Sequence, residues 1–490
     1  MPGSVPSRVS RRNLFQIAAG VTAGRARGLA QPSPSGAATL ERLERAQGDP
    51  NRRILLRGGV VLSLDPKVGD FEKADVLVEG KKISALGPNL DGSRSALIVD
   101  ASDHIVMPGF VDTHHHQYET LLRSILSDGN LGLTADSPTN YLSTIQGILT
   151  PAYRPEDSYI SELVASLNQI NAGVTTTVDT SQVSHTPAHT DACIAGLKES
   201  GRRAVFAYSS GQGPASQFPQ DLTRLSRQYF SSRDQLLTLA LHTGLNADHW
   251  KLARSLGAAI VMHFINGDLQ PMKNAGLLGP DTEYIHCTQI NEAAWRLIAD
   301  SGGHVSIAPA IEMQMRHGMP PIQAALDHAI RPSLSVDVEC NMTADMFSIM
   351  RSAFTLQRAL VNQRALAGEK NLPSLLTCRD VLEMATVEGA RTAHLDAKIG
   401  TLTPGKEADI LMLAIDRINV FPMNNVPGTI VTLMDTSNVE NVFIAGRVMK
   451  WQGKLVGVDL RRIRETIERA SDGVLARARY PRKLFESCCA

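Results

Sequence analysis

The chain carries no surplus of either charge: Lys plus Arg and Asp plus Glu each number 49 in 490 residues, for a formal net charge of zero. No global field therefore steers it to nucleic acid or to an anionic membrane surface. Of the six cysteines, Cys193, Cys287, Cys340, Cys378, Cys488 and Cys489, no two form the C-x-x-C pair of a zinc ribbon. Cys193, Cys287 and Cys340 read as small buried apolar residues. No apolar run is long enough to span a bilayer, and no short tandem repeat occurs. The 43% hydrophobic content is ordinary for a globular protein. A length of 490 residues allows one large domain and a smaller one.

What is present begins with an address. Ser10-Arg11-Arg12-Asn13-Leu14-Phe15-Gln16 resembles the twin-arginine export signal. A weakly apolar stretch, 17–23, follows, then Arg25, Arg27 and the small-x-small run Gly28-Leu29-Ala30. Residues 1–30 are thus expected to be a signal peptide, sending the protein to the periplasm or outside the cell. The alternative is a basic leader with no address and a cytoplasmic protein. Export would permit disulfides, but nothing in the sequence pairs the cysteines. Residues 31–51 begin Ser/Pro/Gly-rich and read as a flexible lead-in.

The chemistry concentrates in Val106-Met-Pro-Gly-Phe-Val-Asp-Thr-His-His-His116. Alternate residues of a strand point to one side, so His114 and His116 aim two imidazoles at one point and His115 faces away. Neutral imidazole is a common ligand for zinc and similar ions. Eight short apolar runs, 106–113, 174–179, 204–208, 236–242, 258–263, 283–286, 304–308 and 333–337, alternate with amphipathic helical patterns. Strand–helix alternation implies parallel strands and right-handed crossovers, and eight such units predict a (β/α)8 barrel spanning 107–398. Histidines or acids stand at the C-terminal ends of these runs, the end where barrels carry their sites: His114, His116, Asp179, His242, His263, His286 and Asp337. The strand-rich segments 52–106 and 399–456 predict a small β-sandwich built from both ends of the chain. Residues 457–490 read as a C-terminal helix and tail.

Four motifs carry a family resemblance: Pro108-Gly-Phe-Val-Asp-Thr-His-His-His116, Gly173-Val-Thr-Thr-Thr177, Ile285-His-Cys287 and Gly400-Thr-Leu-Thr-Pro-Gly-Lys-Glu-Ala-Asp-Ile410. Over about 54–453 the chain resembles the amidohydrolase superfamily, in the branch of cytosine and guanine deaminases and triazine hydrolases. The resemblance implies that His114, His116, His263 and Asp337 bind a divalent metal. Zn2+ is expected first, with Fe2+ or Mn2+ as alternatives. It implies that His286 hydrogen-bonds the attacking water or the substrate oxygen and that Asp337 takes the water's proton. Three imidazoles and a carboxylate suit such an ion independently of the resemblance. Binuclear relatives use a modified Lys at the end of strand 4. This chain has His242 there, so one metal is expected, with His242 behind it or beside substrate.

One departure matters. Deaminases of this branch carry His-x-x-Glu on strand 5, whereas this chain reads His263-Phe-Ile-Asn266. Asn cannot deliver a proton at neutral pH, and general acid help of this kind is worth about 10²–10⁴-fold. The expectation therefore moves to hydrolysis of an amide, lactam or carbamate C–N bond, with Asn266 orienting substrate. The alternative is a deaminase using another acid, Glu312 or Glu339. A scaffold without catalysis is a further alternative, disfavoured because every ligand position is filled. Gln117, Tyr118 and Arg123 are further substrate-side candidates, and Met313, Met315 and Met319 suggest an adaptable pocket wall. The expected partner is a small molecule, with neither nucleic acid nor membrane, and the helical surface of a barrel leaves room for a homo-oligomer.

Overall fold

The computed structural model describes residues 36–91, 96–132 and 140–486. The twin-arginine stretch, the start of the lead-in, Cys488 and Cys489 lie outside the described residues. After a helix at Gly36–Ala46 come β1 (Arg53–Val61), β2 (Phe71–Glu79), β3 (Lys82–Gly87), β4 (Leu97–Asp100) and β5 (His104–Pro108). The barrel strands follow: β6 (Phe110–His115), β7 (Val174–Ser181), β8 (Arg203–Tyr208), β9 (Leu237–His242), β10 (Ala259–His263), β11 (Thr282–Ile285), β12 (His304–Ile307) and β13 (Ser333–Leu334). The chain then returns through β14 (Ile410–Ala414), β15 (Val439–Ile444), β16 (Arg447–Trp451) and β17 (Lys454–Leu455). No helix among the described residues is long and apolar enough to cross a membrane.

The two ends of the chain build one sheet of nine strands, in the order β17-β16-β15-β14-β5-β1-β2-β3 with β4 on β1. Its seam is β5 against β14, antiparallel, with Met107 opposite Leu411. Both faces of β14 are buried. Ile410 and Met412 join a small core with Leu56, Val76 and Phe443, while Leu411 and Leu413 join the large core of the barrel. That double burial explains the unbroken apolar run at this position.

The sequence run 106–113 is divided between the two sheets. Residues up to Pro108 pair with β14, and Phe110 starts the barrel. Gly109 makes the crossing, and a Cβ there would lie 2.1 Å from Thr175 Oγ1. Only glycine allows that approach.

Strands β6 to β13 run parallel in sequence order. The ring closes beyond β13, which is only two residues long. Asp337 N donates to His114 O at 2.9 Å and His116 N donates to Asp337 O at 2.7 Å. The closing seam thus lays residue 337 beside the two-histidine clamp. At the other end, the helix Val387–Thr392 and the turn after it plug the barrel, with Ala390, Leu395 and Ile399 packed on Val111, Val205 and Ile285. The C-terminal helix Leu460–Ala478 lies on Pro155–Asn171. There Arg477 pairs with Asp157.

Candidate metal centre and its cavity

The four implied ligands meet at the C-terminal mouth of the barrel, nearly all out of contact with solvent. Thr180 on β7 orients the clamp twice. Its Oγ1 lies 3.0 Å from His114 Nδ1, and its carbonyl oxygen lies 3.1 Å from His116 Nδ1. A carbonyl can only accept, so His116 Nδ1 carries the proton and Nε2 presents a lone pair. That Nε2 stands 3.3 Å from His263 Nε2 and 3.6 Å from Asp337 Oδ1. His114 Nε2 lies 3.0 Å from the same carboxylate oxygen. A cation between these atoms would satisfy the His116 lone pair, the carboxylate and the other two imidazoles together. Their separations match a tetrahedral ion with bonds of about 2.0–2.1 Å. The donor set fits a divalent metal, zinc included.

The outer partners follow one pattern. His263 Nδ1 is held by His242 Nε2 at 2.7 Å, and His286 Nδ1 by Glu312 Oε1 at 3.1 Å. Metal-binding imidazoles are oriented in this way through their second nitrogen. Burial holds His116 and His263 well below the ordinary imidazole range, and it lowers His242 to about 3, with His114 adding to the effect. Burial opposes ionisation of Asp337, but the His114 hydrogen bond and the nearby imidazoles outweigh it and hold the carboxyl below its usual range. Burial likewise opposes charge on His286, yet Asp337 and Glu312 outweigh it and raise that imidazole. His286 and Asp337 both adopt positive φ, 74° and 71°. Such strained positions persist only where surrounding contacts fix them.

Thr180→Val removes one of the two orienting contacts and leaves the other. Zinc affinity is expected to fall about 10–100-fold, as read by competition with a chromophoric chelator. Unchanged affinity would refute the orienting role.

The centre opens into a cavity of about 330 Å³. His116, His263, His286 and Asp337 form its inner wall, and Leu131, Leu142, Ile265, Met315 and Val338 give it an apolar side. Tyr141, Gln146 and Gln182 form a polar side. The Tyr141 hydroxyl donates to Glu119 at 2.6 Å. Burial raises Glu119 to about 8, so this carboxyl is protonated at neutral pH. His317 completes the wall, lowered to about 3 by burial and then by His286.

Several candidates from the sequence stand elsewhere. Asn266 is exposed and does not line the cavity, whereas Ile265 does. Gln117 points into a buried cluster with Glu162 and Arg202. Glu339 is bound by Arg123 and by Thr120. His242 and Glu312 sit behind His263 and His286, respectively. His115 faces away from the four implied ligands, with Nδ1 3.3 Å from Asp112 Oδ2. Met313 and Met319 are exposed. Cys193, Cys287 and Cys340 are free and buried. The sequence reading did not single out Thr180, Tyr141, Gln146, Gln182, Glu119 or His317. His317 lies inside the Arg316-His-Gly-Met-Pro320 stretch, and its conjunction with Glu312 was the available signal.

The profile of the Amidohydrolase family matches residues 105–449. Over 451 residues the chain is 25% identical to the 5'-deoxyadenosine deaminase of Methanosarcina mazei, covering 86% of this chain and 99% of that one. It is 24% identical over 451 residues to the 5-methylthioadenosine/S-adenosylhomocysteine deaminase of Desulfitobacterium hafniense, with coverage of 86% and 99%. Among solved structures, an adenosine deaminase from Xanthomonas campestris with bound zinc is similar at a TM-score of 0.74 and 22% identity, over 86% of this chain and 98% of that one. An atrazine chlorohydrolase from Arthrobacter aurescens complexed with zinc is similar at 0.74 and 21%, over 85% and 100%.

Proposed function

The chain belongs to the amidohydrolase family, and from that premise we propose that it is a zinc-dependent hydrolase of an amide-type C–N bond in a small molecule. The observation that carries this reading is the convergence of His116, His263 and Asp337 on the inner wall of one cavity, with His114 buried directly behind them against the same carboxylate. A zinc ion bound there supplies Lewis acidity and a water whose pKa falls to about 7. The protein's own groups do the rest. Asp337 takes the proton of the water as its oxygen attacks the carbonyl carbon. His286, held by Glu312, donates a hydrogen bond to the carbonyl oxygen as charge develops on it. Asp337 then passes the proton to the nitrogen as the C–N bond breaks, releasing an acid and an amine. The apolar side of the cavity holds the substrate body and excludes water. Tyr141, Gln146 and Gln182 offer hydrogen bonds to its polar atoms.

A second reading is favoured by one observation: the curated relatives matched over 86% of this chain are named as deaminases. Ring deamination needs an acid beside a ring nitrogen. Asp337 is the only carboxylate among the described residues that line the cavity, and Asn266 stands outside it. The reported relatives therefore define the competitor substrates. Zinc-loaded protein should be offered anilides, aryl carbamates and lactams alongside adenosine and 5'-deoxyadenosine, with free amine and ammonia measured. Amine or ring-opened acid is expected from the first group. Faster ammonia release from the nucleosides would replace the amide reading with deamination. In either case Asn266→Ala is expected to change kcat/KM by less than about twofold, because the side chain is exposed and lies outside the cavity.

Export through the twin-arginine route is the companion proposal, resting on Arg11-Arg12 and the run ending at Ala30. Arg11→Lys with Arg12→Lys should hold the protein in the cytoplasm on cell fractionation. Unchanged fractionation would remove the proposal.

A further inference from the structure

His317 has no role in the reaction just described, yet its placement is specific. It is 3% exposed, and neither ring nitrogen has a hydrogen-bond partner. Its backbone is clamped on both sides. The amide donates to Glu312 O at 3.0 Å, and the carbonyl accepts from Thr288 Oγ1 at 2.8 Å and Gln289 Nε2 at 2.7 Å. The next residue, Gly318, has φ 132°, and a Cβ there would lie 2.9 Å from Thr288 Cβ. The loop is therefore built to hold one imidazole in the cavity wall with its nitrogens unspent. Buried polar atoms are rarely left so without a partner.

The ring stands perpendicular to that of His286, with centroids 4.7 Å apart. His286 Nδ1 is committed to Glu312, so its Nε2 is the free atom. This Nε2 lies 3.7 Å from Asp337 Oδ2. That is too long for a hydrogen bond and about the spacing of two ligands on one ion. Ligand atoms of His286, His317 and Asp337 all fall within 4.8 Å of one another. Asp337 meanwhile presents its other oxygen, Oδ1, to His114 and His116. Glu312 Oε2 is also buried without a partner, which adds negative potential beside His286.

We propose that His286 Nε2, His317 and Asp337 Oδ2 bind a second divalent cation on the cavity side of the first, with Asp337 bridging the two. Carboxylates join paired ions about 3.5–4 Å apart. This second position differs from the strand-4 lysine type, since the fourth barrel strand, β9, ends at His242 and offers no lysine. It also differs in consequence. All three ligands line the cavity, so the ion occupies substrate space. It also takes Asp337 Oδ2 away from proton transfer and His286 Nε2 away from the substrate's carbonyl oxygen. The two-ion form is the slower one, and the site acts as a brake at high metal concentration. The inference rests on the first ion being bound as described above.

The test is a zinc titration of the metal-free full chain against a chromophoric chelator, with bound zinc counted by elemental analysis. Wild type is expected to take two equivalents, the second more weakly. His317→Ala should take one, with the affinity of the first within about threefold. Two equivalents of unchanged affinity in His317→Ala would overturn the proposal. So would saturation of wild type at one equivalent, a result that needs no variant to fold and leaves the hydrolase reading intact. Absence of any uptake would overturn both. On the best substrate of the amide panel, the second equivalent should lower the wild-type rate. A rate that rises with it would overturn the role given to Asp337 Oδ2.

Discussion

Asp337→Asn is expected to lower kcat/KM for the best amide substrate by at least about a thousandfold, since general base catalysis alone is worth about 10²–10⁴. Asn keeps the shape of the side chain and removes its charge and its basicity. The backbone bonds that close the barrel, from Asp337 N to His114 O and from His116 N to Asp337 O, do not involve the side chain. The fold should therefore survive, and circular dichroism should show it. Metal loss and base loss are separable. His116 Nε2 and His263 Nε2 still converge at 3.3 Å, so a weakened zinc site should refill at high zinc. Activity should not return with it. An Asn variant that works within tenfold of wild type once loaded would show that the proton leaves the water by another route.

The parts of this site that were legible in the sequence are those governed by periodicity. His114 and His116 share a side because they alternate on β6. His263 and His286 stand at the ends of β10 and β11, where barrel chemistry belongs. Asp337 is a less regular case. β13 is two residues long, and residue 337 reaches the clamp through the closing seam rather than through a strand. The misplacements begin where the strands stop. After His116 the chain enters a 3-10 turn, Gln117–Leu122, so strand parity no longer applies and Gln117 is carried to Arg202. After His263 it bends, which puts Ile265 rather than Asn266 on the cavity. Tyr141, Gln146 and His317 come from loops and short helices, whose placement depends on contacts distant in sequence. The small sheet shows the same division. Its apolar runs were readable, but the transfer of chain from one sheet to the other at Gly109 depends on its close approach to Thr175 in β7, distant in sequence.

The Gly400–Ile410 motif marked the return into the small sheet, and its acids account for the largest expected stability effect. Arg203, 1% exposed at the start of β8, is gripped by both of them. Its Nε donates to Asp409 Oδ2 at 2.9 Å, and its Nη2 donates to Asp409 Oδ1 at 3.0 Å and to Glu407 Oε2 at 2.7 Å. Asp409 Oδ1 also accepts from Ala445 N at 2.8 Å. One guanidinium thus ties the base of the barrel to the segment that leads into β14, and Asp409 carries the link on to the residue after β15. Burial opposes its charge, but Asp409 and Glu407 outweigh that and hold it firmly protonated. Arg203→Met fills similar space and leaves two buried carboxylates facing an apolar chain. Removing one partner of such a pair costs about 3–5 kcal/mol, which should appear as a lower urea midpoint for the first unfolding transition. Arg203→Lys keeps the charge but loses the two-pronged grip, so its loss should be intermediate. A triple variant, Arg203→Met with Glu407→Gln and Asp409→Asn, removes the stranded charges and should recover part of the deficit. If Arg203→Met unfolds at the wild-type midpoint, the joint is held by the apolar seam of β5 and β14 alone, and the ion pair serves register rather than stability.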